Sequence, residues 1–223
     1  MDWSNLSSYY QELAQDIYPQ PPDDWHQEEM KKVIYNWIAP LRIGNVLDVG
    51  CGEGDAETFF TDLEIAYLGI ALGADVPRAQ ELGRNVQAMD FNFLEFPDGF
   101  FGLIFARHVL EHSPFPILTL MEWHRVSNKY LCLVVPNPQH FTFTGRNHYS
   151  VAYPKQTTWW LRRAGWKPEK LEFTPREFKF LCVKEKRIGY EGYASVPLAR
   201  ELYEFERDSL IFNKEMDVSI GKV

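Results

Sequence analysis

Residues 48–54 read Asp-Val-Gly-Cys-Gly-Glu-Gly, an acid followed by three glycines at alternate positions, directly after the apolar pair Val46 and Leu47. Gly50, Gly52 and Gly54 carry no Cβ, so a turn built from them reaches positive φ and offers its N–H groups at close range. Asp48, at the end of the apolar run, is a ready acceptor for a donor on the same ligand. The spacing is not the dinucleotide fingerprint, and no Gly-Lys-Ser/Thr follows, which removes a P-loop. A helix N-terminus attracts phosphate, but an acid beside the turn repels it. The ligand implied is a cation.

Other polar residues stand at the ends of apolar segments. Asp90 sits between Met89 and Phe91, and Arg107-His108 follows the apolar run 101–106. His108-Val109-Leu110-Glu111-His112 satisfies H-x-x-E-H, which on a helix places two zinc-ligating imidazoles one turn apart with a glutamate to activate water. That motif is short, needs a third ligand and follows a strand, so a zinc peptidase is the minor alternative. Asn147, His148 and Tyr149 offer a donor, a base and a stacking ring to a polar acceptor; a solvated loop accounts for them nearly as well.

Period-2 and continuous apolar runs predict strands near 45–49, 66–70, 85–89, 101–106, 130–135, 170–174 and 178–185. Helices are expected at 4–17, from Asp23 or Asp24 to about Ala39, and at 55–63, 75–83, 109–112 and 115–126. Alternation of strand and helix implies parallel units with right-handed crossovers. The turn at Thr174-Pro175-Arg176-Glu177 makes the last two strands an antiparallel hairpin. Trp159, Trp160 and Trp166, at near-helical spacing, read as core packing.

The chain has 223 residues, net charge −8 and a pI near 5.3. That suits one domain and opposes broad attraction to nucleic acid or anionic membrane. No apolar run approaches the roughly 20 residues of a membrane span, and residues 1–10 have no signal-peptide pattern. Cys51, Cys132 and Cys182 are odd in number and widely spaced, which fits reduced thiols in the cytoplasm.

The segment Asn45 to Gly54 resembles motif I of the class I S-adenosylmethionine-dependent methyltransferases, of the small single-domain, type 11-like kind. The resemblance spans about residues 33–186. It implies a Rossmann-like doubly wound, seven-stranded, mostly parallel sheet with a C-terminal antiparallel hairpin strand and helices on both faces. Domain 41–186 would carry it, with 1–40 a helical lid and 187–223 a helical extension.

S-adenosyl-L-methionine, with its ammonium and sulfonium, is the cationic ligand the resemblance implies. Its contacts would come from Asp48, Val49, Gly50, Cys51, Gly52, Gly54, Leu72, Asp75, Met89, Asp90, Phe91 and Arg107. Most relatives hold the ribose with an acid near position 71, where this chain has Ala71; Asp75 or the backbone of Leu72 and Gly73 would have to replace it. His108 and His112 are the catalytic candidates, and Asn147, His148 and Tyr149 the substrate-binding ones. The acceptor implied is a small metabolite, sugar or glycan precursor, with no nucleic acid, membrane or metal ion, and a homodimer is left open. A methyltransferase-like protein that binds the cofactor without catalysis is the second reading.

Overall fold

The computed structural model describes residues 23–140 and 147–186, together with the isolated positions Ser8 and Glu12. The chain divides into a unit Met1–Arg187 and a unit Ile188–Val223. The helix expected at 4–17 and the extension from residue 187 lie outside the described residues.

Seven strands form one sheet: β1 (Asn45–Val49), β2 (Ala66–Ala71), β3 (Val86–Ala88), β4 (Phe101–Arg107), β5 (Ser127–Pro136), β6 (Trp166–Phe173) and β7 (Glu177–Lys184). Their spatial order is β3-β2-β1-β4-β5-β7-β6. β1 pairs in parallel with both β2 and β4, and β7 pairs antiparallel with β5 and β6. The order reverses at β1, so the carboxyl ends of β1 and β4 flank a crevice where ligands bind in open α/β sheets.

The central strands are apolar without alternation because helices cover both faces. Val46, Leu47 and Val49 of β1 and Leu103 and Ile104 of β4 are wholly buried. On one face Val46, Leu103 and Phe105 pack with Met30 and Val33 of α1 (Asp24–Val33), Ile34 and Trp37 of the following π turn, and Phe60 of α2 (Glu57–Asp62). Asp23 caps α1 by accepting from the His26 N–H at 2.8 Å, as the sequence predicts. The apolar path then continues through a π turn and a 3-10 turn, Ala39–Leu41, which contains Pro40 and ends at Arg42 in the left-handed region.

At the β3 edge, α3 (Asp75–Glu81) buries Val76 and Ala79 against Ala71 and Val86. Elsewhere α4 (Pro116–Val126) packs on β5, α5 (Pro154–Ala164) packs on β6, and the two helices touch. The sequence reading assigns no helix to α5, and it starts β6 late. Gly165, with φ 99°, ends α5 and turns the chain directly into β6, so Trp166 is the first strand residue. The three tryptophans therefore part company: Trp166 is fully buried and donates to the Leu120 carbonyl at 3.0 Å, whereas Trp159 and Trp160 are only half-buried.

Gly102 is the second residue of β4. Its N–H donates to Asn45 Oδ1 at 2.7 Å, and a Cβ there would lie 3.3 Å from the Asn45 carbonyl. The glycine lets β4 begin hard against β1.

Candidate active site

β1 delivers its last residues to the crevice, and the chain turns there through Gly50, Gly52 and Gly54 at φ 64°, 58° and 81°. Two of the three glycines are required by the protein itself. A Cβ on Gly50 would meet Val109 Cγ2 at 2.5 Å, and one on Gly54 would meet Val86 Cγ2 at 2.8 Å. Gly52 differs: its nearest neighbour would be Asp75 Oδ2 at 3.9 Å, across open space. The turn is held from behind by Arg84, which donates to the Glu53 carbonyl at 2.8 Å and to Asp55 Oδ1 at 2.5 Å.

Asp48 is 4% exposed and accepts from the Tyr67 hydroxyl at 2.8 Å. Burial pushes its carboxyl up to about 7, with the Tyr67 hydrogen bond pulling the other way. Cys51 turns its sulfur toward Gly69, and burial raises its thiol far above the ordinary range. Val49 is wholly buried. Val49 and Cys51 thus have only backbone to offer a ligand.

The cleft above this turn spans about 820 Å³ of space, its solvent-open mouth included. Gly50, Gly52, Ala71, Leu72, Asp75, Met89, Phe91, His108, Val109, His112 and Asn147 line it. Asp75 begins α3, and desolvation raises its carboxyl.

Met89 and Phe91 flank Asp90, which is 7% exposed. Asp90 Oδ1 accepts from the Asn92 backbone and side-chain N–H groups, both at 2.9 Å. Asn92 is in turn held by the hydroxyls of Ser113 and Thr119. The second oxygen, Oδ2, is buried with no hydrogen-bond partner among the described residues. A buried acceptor left open in this way suits a ligand donor.

At the other end of the cleft, His108 follows β4 in the left-handed region, φ 55°. Its Nε2 lies 3.0 Å from Glu177 Oε2, which also accepts from Arg107 Nη2 at 3.1 Å. Glu177 is fully buried; burial works to raise its carboxyl, and the His108 hydrogen bond and the Arg107 charge overcome this and hold it at about 2. Burial drives His108 down to about 4 despite that carboxylate. At neutral pH the group is therefore a carboxylate between a guanidinium and a neutral imidazole, whose Nε2–H donates to Glu177. Arg107 is not a cleft residue. It pairs with Glu177 and lies 5.8 Å from the Trp25 ring, which also receives Arg176 at 4.7 Å. Lys179, bonded to Glu29 and Glu172 at 2.7 Å each, fixes the helix that carries Trp25.

Leu110–His112 form a 3-10 turn, not an α-helix. His108 and His112 thus do not stand at helical i and i+4 positions, and His108 is committed to Glu177. The zinc peptidase alternative fails on both counts. His112 Nδ1 bonds the Asn147 carbonyl at 3.0 Å, and burial lowers this imidazole to about 4. Glu111 is 1% exposed, and burial pushes its carboxyl up to about 8. Its backbone carbonyl accepts the N–H groups of Tyr149 and Ser150, which pins the distant loop to this turn.

The structure thus gathers nine of the sequence candidates around one cleft: Gly50, Gly52, Leu72, Asp75, Met89, Phe91, His108, His112 and Asn147. Asp48, Asp90 and His148 sit behind that surface, and Tyr149 is 44% exposed with its hydroxyl on Asn147 Oδ1. Tyr67, Val109, Glu177 and Trp25 escaped sequence reading. Only Glu177 left a trace, as an acid opening a largely apolar strand.

The family model described as a methyltransferase domain matches residues 11–177. The chain belongs to this family. Together with the strand order, the match makes it a class I methyltransferase, for which S-adenosylmethionine is the methyl donor. A methyltransferase from Archaeoglobus fulgidus superposes with a TM-score of 0.62 at 16% identity, covering 80% of this chain and 100% of that one. Magnesium protoporphyrin IX methyltransferase from Synechocystis, solved with bound S-adenosylhomocysteine, gives 0.59 at 15%, covering 82% and 97%. A [4+2]-cyclase, SpnF, gives 0.62 at 17%, covering 76% and 85%. At such identities the likeness is one of fold. None of the curated proteins matches the chain in sequence. No helix among the described residues is long and apolar enough to cross a membrane.

Proposed function

We propose that this methyltransferase acts on a small polar acceptor such as a metabolite, a sugar or a glycan precursor. The observation that carries the reading is the acceptor end of the cleft, where His108, His112 and Asn147 put polar groups on a concave wall beside the glycine turn. The donor fits the opposite end. Gly52 leaves room for backbone to meet it, Asp48 supplies negative potential for its ammonium, Asp75 takes the ribose hydroxyls in place of the acid missing at Ala71, and Met89 and Phe91 face the adenine while Asp90 Oδ2 accepts its amine.

Methyl transfer breaks the sulfonium S–CH₃ bond and forms a bond from the methyl to the acceptor atom, leaving a neutral thioether. The protein's task is alignment and exclusion of water. His108 and His112 are too weakly basic at about 4 to match a base working near pH 7. Their role here is to orient the acceptor by hydrogen bonding, with each imidazole's tautomer set by Glu177 and by the Asn147 carbonyl. The three unpaired cysteines suit a reducing compartment such as the cytoplasm.

Calorimetric titration with S-adenosylhomocysteine, followed by transfer of labelled methyl to a panel of hydroxyl and amine acceptors, tests the reading. Absence of binding at millimolar ligand would overturn it. Binding with no transfer to any acceptor would favour a cofactor-binding protein without methyl transfer, a reading supported by the two weakly basic histidines and by the cyclase among the structural neighbours.

A further inference from the structure

Beside the acceptor end, Glu111, His112 and His148 form a second group, of which only His112 has a part in the proposed methyl transfer. One ligand atom from each lies within 4.8 Å of the others. Ligand atoms held at roughly 2.0–2.1 Å by one tetrahedral ion stand about 3.4 Å apart, so the three close on the ion by side-chain rotation.

Three further observations point to a ligand rather than to packing. Glu111 is 1% exposed, yet its Oε2 has no hydrogen-bond partner among the described residues, an expensive arrangement for a carboxyl in the protein interior. His148 Nδ1 is likewise buried with no hydrogen-bond partner among the described residues, and its ring centroid lies 4.9 Å from that of His112. His112 presents its Nδ1 to the Asn147 carbonyl, so that Nδ1–H donates and the lone pair stands on Nε2. A backbone carbonyl fixing the tautomer of an imidazole is the usual outer support of a metal-binding histidine.

We propose that Glu111, His112 and His148 bind one divalent first-row transition-metal ion beside the acceptor end of the cleft. Two imidazoles and one carboxylate suit zinc, cobalt, iron or manganese, and are a poor set for magnesium or calcium, which take oxygen ligands. Three protein ligands leave coordination positions open, as in catalytic rather than structural sites. Because His112 and Asn147 also line the cleft, an open position toward it would be filled by an oxygen of the acceptor, and His112 would then orient the acceptor through the ion in place of a direct hydrogen bond; this last step alone rests on the proposed function. The set differs from the H-x-x-E-H reading of the sequence by one residue. His108 is taken by Glu177, and His148, from a loop after β5, stands in its stead.

The test uses tag-free, full-length protein stripped with chelator and titrated calorimetrically with Zn²⁺ and with Co²⁺, whose visible absorption also reports the ligand set. One ion per chain is expected. Glu111→Gln, which keeps the shape of the buried group, and His148→Ala should each weaken binding at least tenfold, while affinity for S-adenosylhomocysteine stays near that of the parent protein. No stoichiometric binding, or unchanged affinity in both variants, would overturn the site. Metal binding that persists where S-adenosylhomocysteine fails to bind would leave the metal site standing and remove the donor placement instead.

Discussion

At the donor end of the cleft the wall is largely backbone and apolar side chains, with Asp75 as its titratable group: Gly50 and Gly52 after β1, Ala71 and Leu72 after β2, Met89 and Phe91 after β3. At the acceptor end it is made of titratable side chains, His108 and His112, backed by Arg107, Glu111 and Glu177. The first wall comes from consecutive strand ends and needs little beyond correct φ values. The second draws on β4, a 3-10 turn, a loop after β5 and the first residue of β7, and its charges balance only when all are present. The donor wall should therefore be sensitive to shape, and the acceptor wall to charge.

Glu177→Gln tests the charged wall most severely. It leaves Arg107 without its carboxylate in a site with almost no access to water, and breaking a buried pair from one side costs about 3–5 kcal/mol. A large fall in melting temperature is expected, and an unchanged one would mean that the Arg107–Glu177–His108 group is not a structural unit. Gly50→Ala tests the backbone wall. It combines a left-handed φ with overlap against Val109, together roughly 2–4 kcal/mol, and should also abolish binding of S-adenosylhomocysteine.

Asp75→Ala should leave folding intact and weaken S-adenosylhomocysteine by about ten- to a hundredfold, the worth of one or two hydrogen bonds to a carboxylate. Retained affinity would assign the ribose to the backbone of Leu72 and Gly73.

A smaller effect separates the walls by pH. Asp48 and Glu111 are raised to about 7 and 8, so the folded chain holds protons that the unfolded chain has lost, and each carboxyl lowers stability as pH climbs from its ordinary value to its folded one. His108 and His112, lowered to about 4, raise stability as pH climbs from there to 6.5. Between about pH 4.5 and 6.5 the two pairs oppose each other; above 6.5 only the carboxyl terms remain, and stability declines toward pH 8. Melting temperatures across pH 6–9 should show this decline, and Glu111→Gln should flatten it above pH 7. An equal decline in the variant would remove Glu111 as its source.

The smallest effect is a control. Gly73→Ala also adds a Cβ at positive φ, 68°, but into open space, and should cost only about 1–2 kcal/mol.

Much of the fold was legible because its signals are local. Apolar runs of strand length, the Asp23 cap and the turn before Glu177 each lie within a few residues of what they determine. The missing helix α5 shows the limit: its buried stripe is Pro154, Thr157, Thr158, Leu161 and Ala164, in which only Leu161 is a large apolar residue, while Trp159 and Trp160 are only half-buried. At the site, Asp48 and the glycines announced themselves because the strain of a left-handed turn selects glycine wherever it occurs. The H-x-x-E-H spacing supported only a minor alternative, since spacing within five residues says nothing about whether they form a helix.

By itself the sequence determined the sheet, the glycine turn after β1 and the family, all consequences of short-range pattern. Only the tertiary structure decided that His108 answers to Glu177, 69 residues away, and that His148 joins Glu111 and His112. Those partnerships depend on burial and on charges brought together across the fold, where removal of water makes each interaction strong, and neither burial nor proximity is written in the order of residues.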